Sequence, residues 1–137
     1  SSDYFLNTVA LLTTNLGLDL VEGLMFLAIV RANTLHVTLD PTLAATFSGL
    51  DEIPPDALRR SVSVYALARE LRLPYETARR HGRKLLDKGL CERASERGLV
   101  TPSHVHARDD FKASVENYGR ITQAFVNSLA QAGLVLT

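Results

Sequence analysis

The hydrophobic positions near the start of the chain have helical spacing. Apolar side chains recur every three or four residues over residues 3–15, and Asp3 is placed to cap this helix. Gly17 interrupts the pattern, and Asp19 can cap a second helix over residues 20–33, which is apolar on nearly every face. In a domain this small, a helix that is hydrophobic all round predicts that a second subunit covers one of its sides.

The next 25 residues have a less regular pattern. TLHVTL reads as a short strand, PTLAATF as one or two helical turns opened by Asp40 and Pro41, and SGLDEIPPDA as a loop rich in turn residues. The pattern therefore predicts an insert or linker over residues 34–58, with two dimerisation helices before it in residues 1–33.

Two regular helices follow the insert. VSVYALARELRL predicts a short amphipathic helix with Ser63 as its N-cap. Pro74 suits the start of the next helix, where its missing N–H and fixed φ cost nothing. That helix is expected to span about residues 74–88 and to end at Gly89, a natural C′ residue.

A hairpin and a long helix complete the chain. LCER and GLVTP predict two short strands joined by ASERG, which would form a β-wing at about residues 90–102. Apolar residues then recur at helical spacing from about Asp109 to Gln131, and Gly133 ends this last helix. The pattern predicts a mainly α protein with a small β-wing, in which residues 59–102 form one unit and residues 103–137 supply a C-terminal dimerisation helix.

The composition indicates a soluble protein with one compact domain, or with one core and an appended element. The chain has 137 residues, 46% of them hydrophobic, which is ample for one core. The single cysteine, Cys91, excludes an internal disulfide and fits a reducing compartment. The chain opens without a basic region before its apolar part, and its most apolar run covers only residues 23–30, whereas a bilayer span needs about 20 residues. We therefore expect a cytoplasmic protein without a membrane partner.

The net charge of zero hides an uneven distribution along the chain. Residues 59–97 hold eleven Lys and Arg against five acidic residues, a net charge of +6, and the remainder of the chain carries −6. A basic block beside an acidic remainder favours a polyanionic partner for the block and a different role for the rest.

The helix predicted at residues 74–88 concentrates this charge on one face. At about 100° per residue, Ala78, Gly82, Leu85 and Gly89 share one side, which we expect to be buried. The opposite side carries Glu76, Arg80, Arg83 and Lys84, flanked by Thr77 and Arg79. Few acids interleave with these cations, whereas a merely solvated helix more often alternates its charges. The only pairings expected are Glu76 with Arg80, and Asp87 with the nearby Lys84 and Lys88.

The order helix, tight turn, helix and hairpin is that of a winged helix-turn-helix. The second helix of such a unit lies in the major groove of duplex DNA, where Arg can bind guanine through two hydrogen bonds. The residues expected to contact the groove are Glu76, Thr77, Arg79, Arg80 and Arg83. Those expected to contact the DNA backbone are Tyr75, Lys84, Arg93 and Arg97, and His81 is close enough on the same helix to reach a phosphate.

Residues 63–102, SVYALARELRLPYETARRHGRKLLDKGLCERASERGLVTP, resemble the winged helix-turn-helix of bacterial transcriptional regulators of the MarR, IclR and GntR families. The matching features are Ala66 and Ala68, the turn LRLP, and Thr77 followed by an apolar residue. The MarR family is the closest in layout, and the resemblance implies a homodimer held by helices from both chain ends. Two departures are Arg72, where this turn usually has glycine, and the length of residues 34–58.

These observations predict a sequence-specific, double-stranded-DNA-binding transcriptional regulator that acts as a homodimer. Its two recognition helices would enter successive major grooves about 34 Å apart on a roughly palindromic site. One alternative is a winged-helix module that binds another protein through its long last helix. Another is a regulator that senses a small-molecule effector in a pocket between residues 34–58 and the dimerisation helices.

Other chemistry has little support in the sequence. His104, His106, Asp109 and Asp110 have spacings that a metal could use, but they match no ligand signature. Cys91 has no second cysteine to resolve its oxidation, so a structural thiol is the better interpretation. The sequence has no Gly-rich phosphate loop, no Gly-x-Ser-x-Gly and no His-Glu-x-x-His. We therefore expect no enzymatic activity, no metal and no cofactor.

Overall fold

The computed structural model describes residues 2–47, 53–96 and 98–133, and within these ranges the protein is mainly helical with one small sheet. The helices are α1 (Ser2–Asn15), α2 (Leu20–Leu39), α3 (Pro41–Thr46), α4 (Val64–Leu71), α5 (Tyr75–Asp87), α6 (Ser103–His106) and α7 (Asp109–Gln131). The strands are β1 (Val62–Ser63), β2 (Glu92–Arg93) and β3 (Gly98–Val100), and a 3₁₀ turn covers Asp56–Leu58.

Side-chain caps start two of the predicted helices. The carboxylate of Asp19 accepts a hydrogen bond from the backbone N–H of Glu22 at 2.8 Å, and the hydroxyl of Ser63 accepts one from Ala66 at 3.0 Å. Both predicted N-caps are therefore confirmed. Asp3 lies inside α1 and not at its N-cap, so that prediction is wrong.

The stretch TLHVTL is helical, and the predicted strand is wrong. Helix α2 continues through this stretch to Leu39, and Asp40 is its C-cap. Asp40 is also the N-cap of α3, because its carboxylate accepts hydrogen bonds from two backbone N–H groups of that helix. The side chain of Val37 is only 4% exposed, so its burial on the helix outweighs the weak preference of β-branched residues for strands. The predicted helical turns after Pro41 are confirmed as α3. In the loop predicted next, residues 48–52 lie outside the described residues.

The three strands form an antiparallel sheet in the order β1-β3-β2. Leu99 of β3 is paired with Val62 of β1 on one side and with Arg93 of β2 on the other. The hairpin of β2 and β3 was predicted, whereas β1 was not. The resulting order of α2, β1, α4, α5, β2 and β3 is compatible with a winged helix.

Helix α2 lies at the centre of the hydrophobic core. Met25, Phe26 and Ile29 are each at most 1% exposed, and they belong to a cluster with Leu67 of α4 and Leu85 of α5. Burial of such a side chain contributes about 1.5–3 kcal/mol, so α2 holds the helices and the sheet together. Helix α2 therefore packs against α5 itself and against α4 and β3.

By length and composition alone, α2 is also apolar enough to cross a membrane. Its packing is that of a core helix, because it contacts α1, α4, α5, β1 and β3. It also buries two polar side chains, Glu22 and Asn33, which bond to other parts of the chain.

Helices α1 and α7, which are far apart in the sequence, pack together. The ring of Tyr4 stacks on that of Phe125 with centroids 4.6 Å apart, and its hydroxyl bonds to Tyr118. Several large apolar side chains of α1 and α2 are exposed within a single chain. They are Phe5, Leu6, Leu20, Leu24 and Leu27.

Candidate nucleic-acid interface

Helix α5 buries one face and exposes the other. Its buried residues are Ala78, His81, Gly82 and Leu85, while Leu86 is half-buried. Gly89 is exposed, contrary to the prediction, because α5 ends at Asp87 and Gly89 takes a positive φ of 71° beyond it. The rest of the predicted buried face is confirmed.

His81 faces the inside of the protein, so the predicted phosphate contact of this residue is wrong. Its Nδ1 lies 2.8 Å from the carbonyl oxygen of Thr77, and its Nε2 lies 3.7 Å from a carboxylate oxygen of Asp19 at the start of α2. Burial and these contacts make His81 part of the packing between α5 and α2.

The cations predicted to bind DNA lie on the exposed face of α5. Arg79, Arg80, Arg83 and Lys84 are all exposed. Tyr75 and Glu76 at the start of the helix are exposed as well, whereas Thr77 is half-buried. The structure thus brings seven of the nine predicted residues onto one helix, six of them accessible to a large partner.

Two of these arginines have intrahelical acidic partners. The Nε of Arg79 donates to Glu76 at 2.9 Å, and the Nε of Arg83 lies 3.7 Å from Asp87. The sequence suggested that Glu76 pairs with Arg80, but its partner is Arg79. The hydrogen bond between them raises the pKa of Arg79 and lowers the pKa of Glu76. Exposed pairs of this kind are worth about 0–1 kcal/mol, so a phosphate can replace the carboxylate at little cost.

Arg80 has no ion pair within the described part of the chain. It lies between the two paired arginines, and it is exposed. Arg80 is therefore the arginine of α5 that can bind an anion without first leaving an acidic partner.

The C-terminal half of α5 is tied to the start of α2. The ammonium of Lys88 binds the buried carboxylate of Glu22 and the carbonyl oxygen of Gly17 at 3.2 Å. Lys84 lies 3.8 Å from Asp19, so its charge is shared with α2. Partial burial alone would raise the pKa of Asp19, but the hydrogen bonds from Glu22 and the cationic neighbours lower it overall.

A groove of about 490 Å³ separates α5 from the wing and from the start of α4. Its lining includes Arg79 and Arg83 of α5, Arg93 of β2, and the exposed tyrosines Tyr65 and Tyr75. Glu96 is the one acidic residue among the described residues of the lining. Three arginines against one carboxylate, together with two tyrosines, offer net positive charge and stacking surfaces to a polyanion.

Sequence reasoning missed Tyr65 and its neighbour Arg69. Tyr65 is 63% exposed on α4, and the guanidinium carbon of Arg69 lies 6.0 Å from the centre of its ring. The available signal was a tyrosine on the polar face of an amphipathic helix, four residues before an arginine.

The wing contributes one described cation. Arg93 is exposed on β2, and its guanidinium donates to the carbonyl oxygen of Glu96 at 3.4 Å. The other predicted wing residue, Arg97, lies outside the described residues. At Gly98, an added Cβ would lie 2.6 Å from the hydroxyl of Ser61, so the hairpin requires glycine there.

The turn between α4 and α5 is built around Arg72. This residue has φ 55° and ψ 42°, the left-handed conformation that glycine adopts most easily. The backbone N–H of the following residue, Leu73, donates to Ala68 at 2.9 Å and closes the helix end. The unusual residue noted in the sequence is therefore accommodated by left-handed backbone, with its side chain exposed.

The remaining candidate groups are not assembled into a reactive site. Cys91 is 1% exposed, and burial raises the pKa of its thiol to about 12, so the thiolate is scarce at neutral pH. In the described part of the chain, no three His, Cys, Asp or Glu side chains are grouped to hold a metal.

Comparisons with known proteins give no match. No family model matches the chain, and neither a curated protein nor a solved structure is similar to it. The resemblance to MarR-like regulators therefore stays a prediction.

Proposed function

We propose that this protein is a sequence-specific, double-stranded-DNA-binding transcriptional regulator with a winged helix-turn-helix. In this proposal it is a cytoplasmic homodimer without enzymatic activity. The observation that carries the proposal is the exposed arginine face of α5, which adjoins a groove shared with the wing.

Helix α5 is the recognition helix of this proposal. Arg79, Arg80 and Arg83 would reach into the major groove together with Glu76 and Thr77, and Tyr75 and Lys84 would meet the backbone. Arg93 and Arg97 of the wing would contact the backbone alongside. Arg79 and Arg83 each have one exposed acidic partner on the same helix, and bound DNA would replace these weak contacts.

A second copy of the chain would cover the exposed apolar side of α1 and α2. Phe5 and Leu6 are 62% and 60% exposed, and Leu20, Leu24 and Leu27 extend the same apolar character onto α2. Large exposed apolar patches mark interaction surfaces. A dimer built here would supply the two-fold symmetry that two recognition helices need.

Selection of bound sequences from a random DNA pool tests the proposal directly. We expect an enriched, roughly palindromic site whose half-sites lie about one helical turn apart. Fluorescence anisotropy on that site should then show affinity that falls by orders of magnitude between about 50 and about 200 mM salt.

Variants separate base contacts from phosphate contacts. Arg80→Ala should weaken binding by about 1–3 kcal/mol and relax base preference at one position in each half-site. Arg93→Ala should weaken all sequences alike and reduce the salt slope by about 1 per subunit. Lys112→Ala, which removes an exposed cation from α7, is the matched control and should change neither property.

No enrichment from the pool, or equal binding by Arg80→Ala and the wild type, would overturn the DNA-binding proposal. If DNA binding fails in this way and the protein binds another protein through α7, the result would favour the winged-helix interaction module instead.

A further inference from the structure

Arg59 is a buried cation without adequate partners. Its side chain is 0% exposed, and within the described residues no group accepts a hydrogen bond from Nε or from either terminal nitrogen. Among the described residues its acidic partner is Asp56, with 3.8 Å between Nε and the carboxylate oxygen, and that carboxylate already accepts a hydrogen bond from the backbone N–H of Ser103 at 2.7 Å. Burying a charge in this way is costly unless something else binds it.

Arg59 is one of the residues that line a pocket of about 360 Å³ between the C-terminal half of α2, α3 and α6. His106 of α6 lies beside it, and its Nε2 is also buried without a hydrogen-bond partner in the described structure. The rest of the lining is mainly apolar and includes Val37, Ala44 and Phe47. The lining thus combines two residues whose buried nitrogens lack hydrogen-bond partners with mainly hydrophobic side chains.

These features define the chemistry of the missing group. Arg59 offers donors in the planar geometry that suits a carboxylate. Burial, with the charge of Arg59, lowers the pKa of His106 to about 4, so its ring is neutral at pH 7. Arg59 and the neutral ring of His106 therefore provide one positive charge, partly offset by the carboxylate of Asp56 at 3.8 Å, and this favours a monoanion over a doubly charged phosphate.

We propose that this pocket binds a small organic acid, whose carboxylate is held by Arg59 and His106 and whose hydrocarbon body lies against Val37, Ala44 and Phe47. Its volume is near the lower end of the range for ligand pockets, about 300–1,000 Å³, which suits a compact ligand.

The pocket is joined to the base of the wing by a continuous set of hydrogen bonds. The backbone N–H of Arg60, next to Arg59, donates to the carbonyl oxygen of Asn33 at 3.0 Å. The buried amide of Asn33 donates to Arg60 and Leu99 and accepts from Thr101 at 2.8 Å. An effect of the acid on DNA affinity would follow this path, and that effect rests on the proposed DNA-binding function.

Isothermal titration calorimetry without DNA tests the site. The probes are octanoate and 1-naphthoate, with octanamide, 1-naphthamide and inorganic phosphate as controls. We expect saturable binding of at least one carboxylate at one site per chain, and at least tenfold weaker binding of its amide and of phosphate. If neither carboxylate binds saturably, or the amide binds as well as the acid, the proposal is overturned.

Two variants assign the binding to this pocket. Arg59→Met should lower carboxylate affinity at least tenfold, and its melting temperature without ligand should not fall, because an uncompensated buried charge is removed. Ala44→Phe keeps the arginine but fills the pocket, and it should also lower the affinity at least tenfold. Unchanged carboxylate affinity in a folded variant of either kind contradicts the proposal.

The Arg80→Ala variant distinguishes carboxylate binding at Arg59 from DNA binding by α5. It should leave the carboxylate titration unchanged, so a failure of the proposed DNA-binding function leaves the outcome at Arg59 readable by itself.

Discussion

Replacing Arg72 with glycine should stabilise the protein. At φ 55° and ψ 42°, a residue with a Cβ pays about 1–2 kcal/mol that glycine does not. Glycine lowers the free energy of unfolding by about 0.5–1 kcal/mol, because it gives the unfolded chain more conformational freedom. The arginine side chain is exposed and has no ion pair among the described residues, so its removal adds little. The net gain expected for Arg72→Gly is therefore about 0.5–1 kcal/mol.

Urea denaturation followed by circular dichroism measures this gain as a higher midpoint at an unchanged slope. Arg72→Ala is the matched control, because it removes the same charge and keeps the Cβ. It should not raise the midpoint. A lower midpoint for Arg72→Gly, or equal midpoints for the two variants, would refute the assignment of strain to this turn.

The same pair of variants carries information on binding. Arg72 is a cation directly before the proposed recognition helix, so both variants should lose the same amount of DNA affinity if its charge contributes. A loss in Arg72→Gly alone would point to the turn geometry instead.

Three further predictions concern stability. Gly82→Ala should raise the free energy of unfolding by about 0.5–1 kcal/mol, because an added Cβ would make only ordinary contacts at 3.6 Å or more and alanine favours the helix; a lower urea midpoint would contradict this. Lys88→Met should cost about 2–3 kcal/mol by leaving the buried carboxylate of Glu22 unpaired, whereas Lys112→Met should change the same urea midpoint little. Burial lowers the pKa of His106 to about 4, so the folded protein holds this ring in its neutral form. The neutral ring therefore contributes its full stability to the fold above about pH 6.5, the ordinary pKa of histidine, and that contribution is lost as the pH falls towards 4. In urea melts, His106→Phe should therefore lose about 2 kcal/mol less than the wild type between pH 7 and pH 4, and parallel pH profiles would show that this burial is misjudged.

Local signals were sufficient to predict most helices and the hairpin. Helical spacing located α1, α4, α5 and α7, and the caps at Asp19 and Ser63 follow from short-range hydrogen bonds that the sequence itself displays. The exposed face of α5 was predictable for the same reason, since a helical period alone separates Arg80 and Arg83 from Ala78.

The features that sequence could not predict depend on distant partners. Strand β1 is two residues long and exists only because Val62 meets Leu99. The pattern of residues 34–39 predicts a strand, but these residues continue α2 and bury Val37. The burial of Arg59 without a hydrogen-bond partner in the described structure follows from the meeting of α2, α3 and α6, which no local pattern specifies.

The position of Asn33 also has a consequence for the order of folding. Strands of two or three residues cannot hold a sheet alone, and the side chain of Asn33 ties α2 to β3 at Leu99 and to Arg60, two residues before β1. Because these bonds span 27 and 66 residues, they can form only after α2 has docked on the rest of the core. We therefore expect the wing to be the last part of the domain to fold and the first to open, with amide protons in β3 exchanging before those of α5.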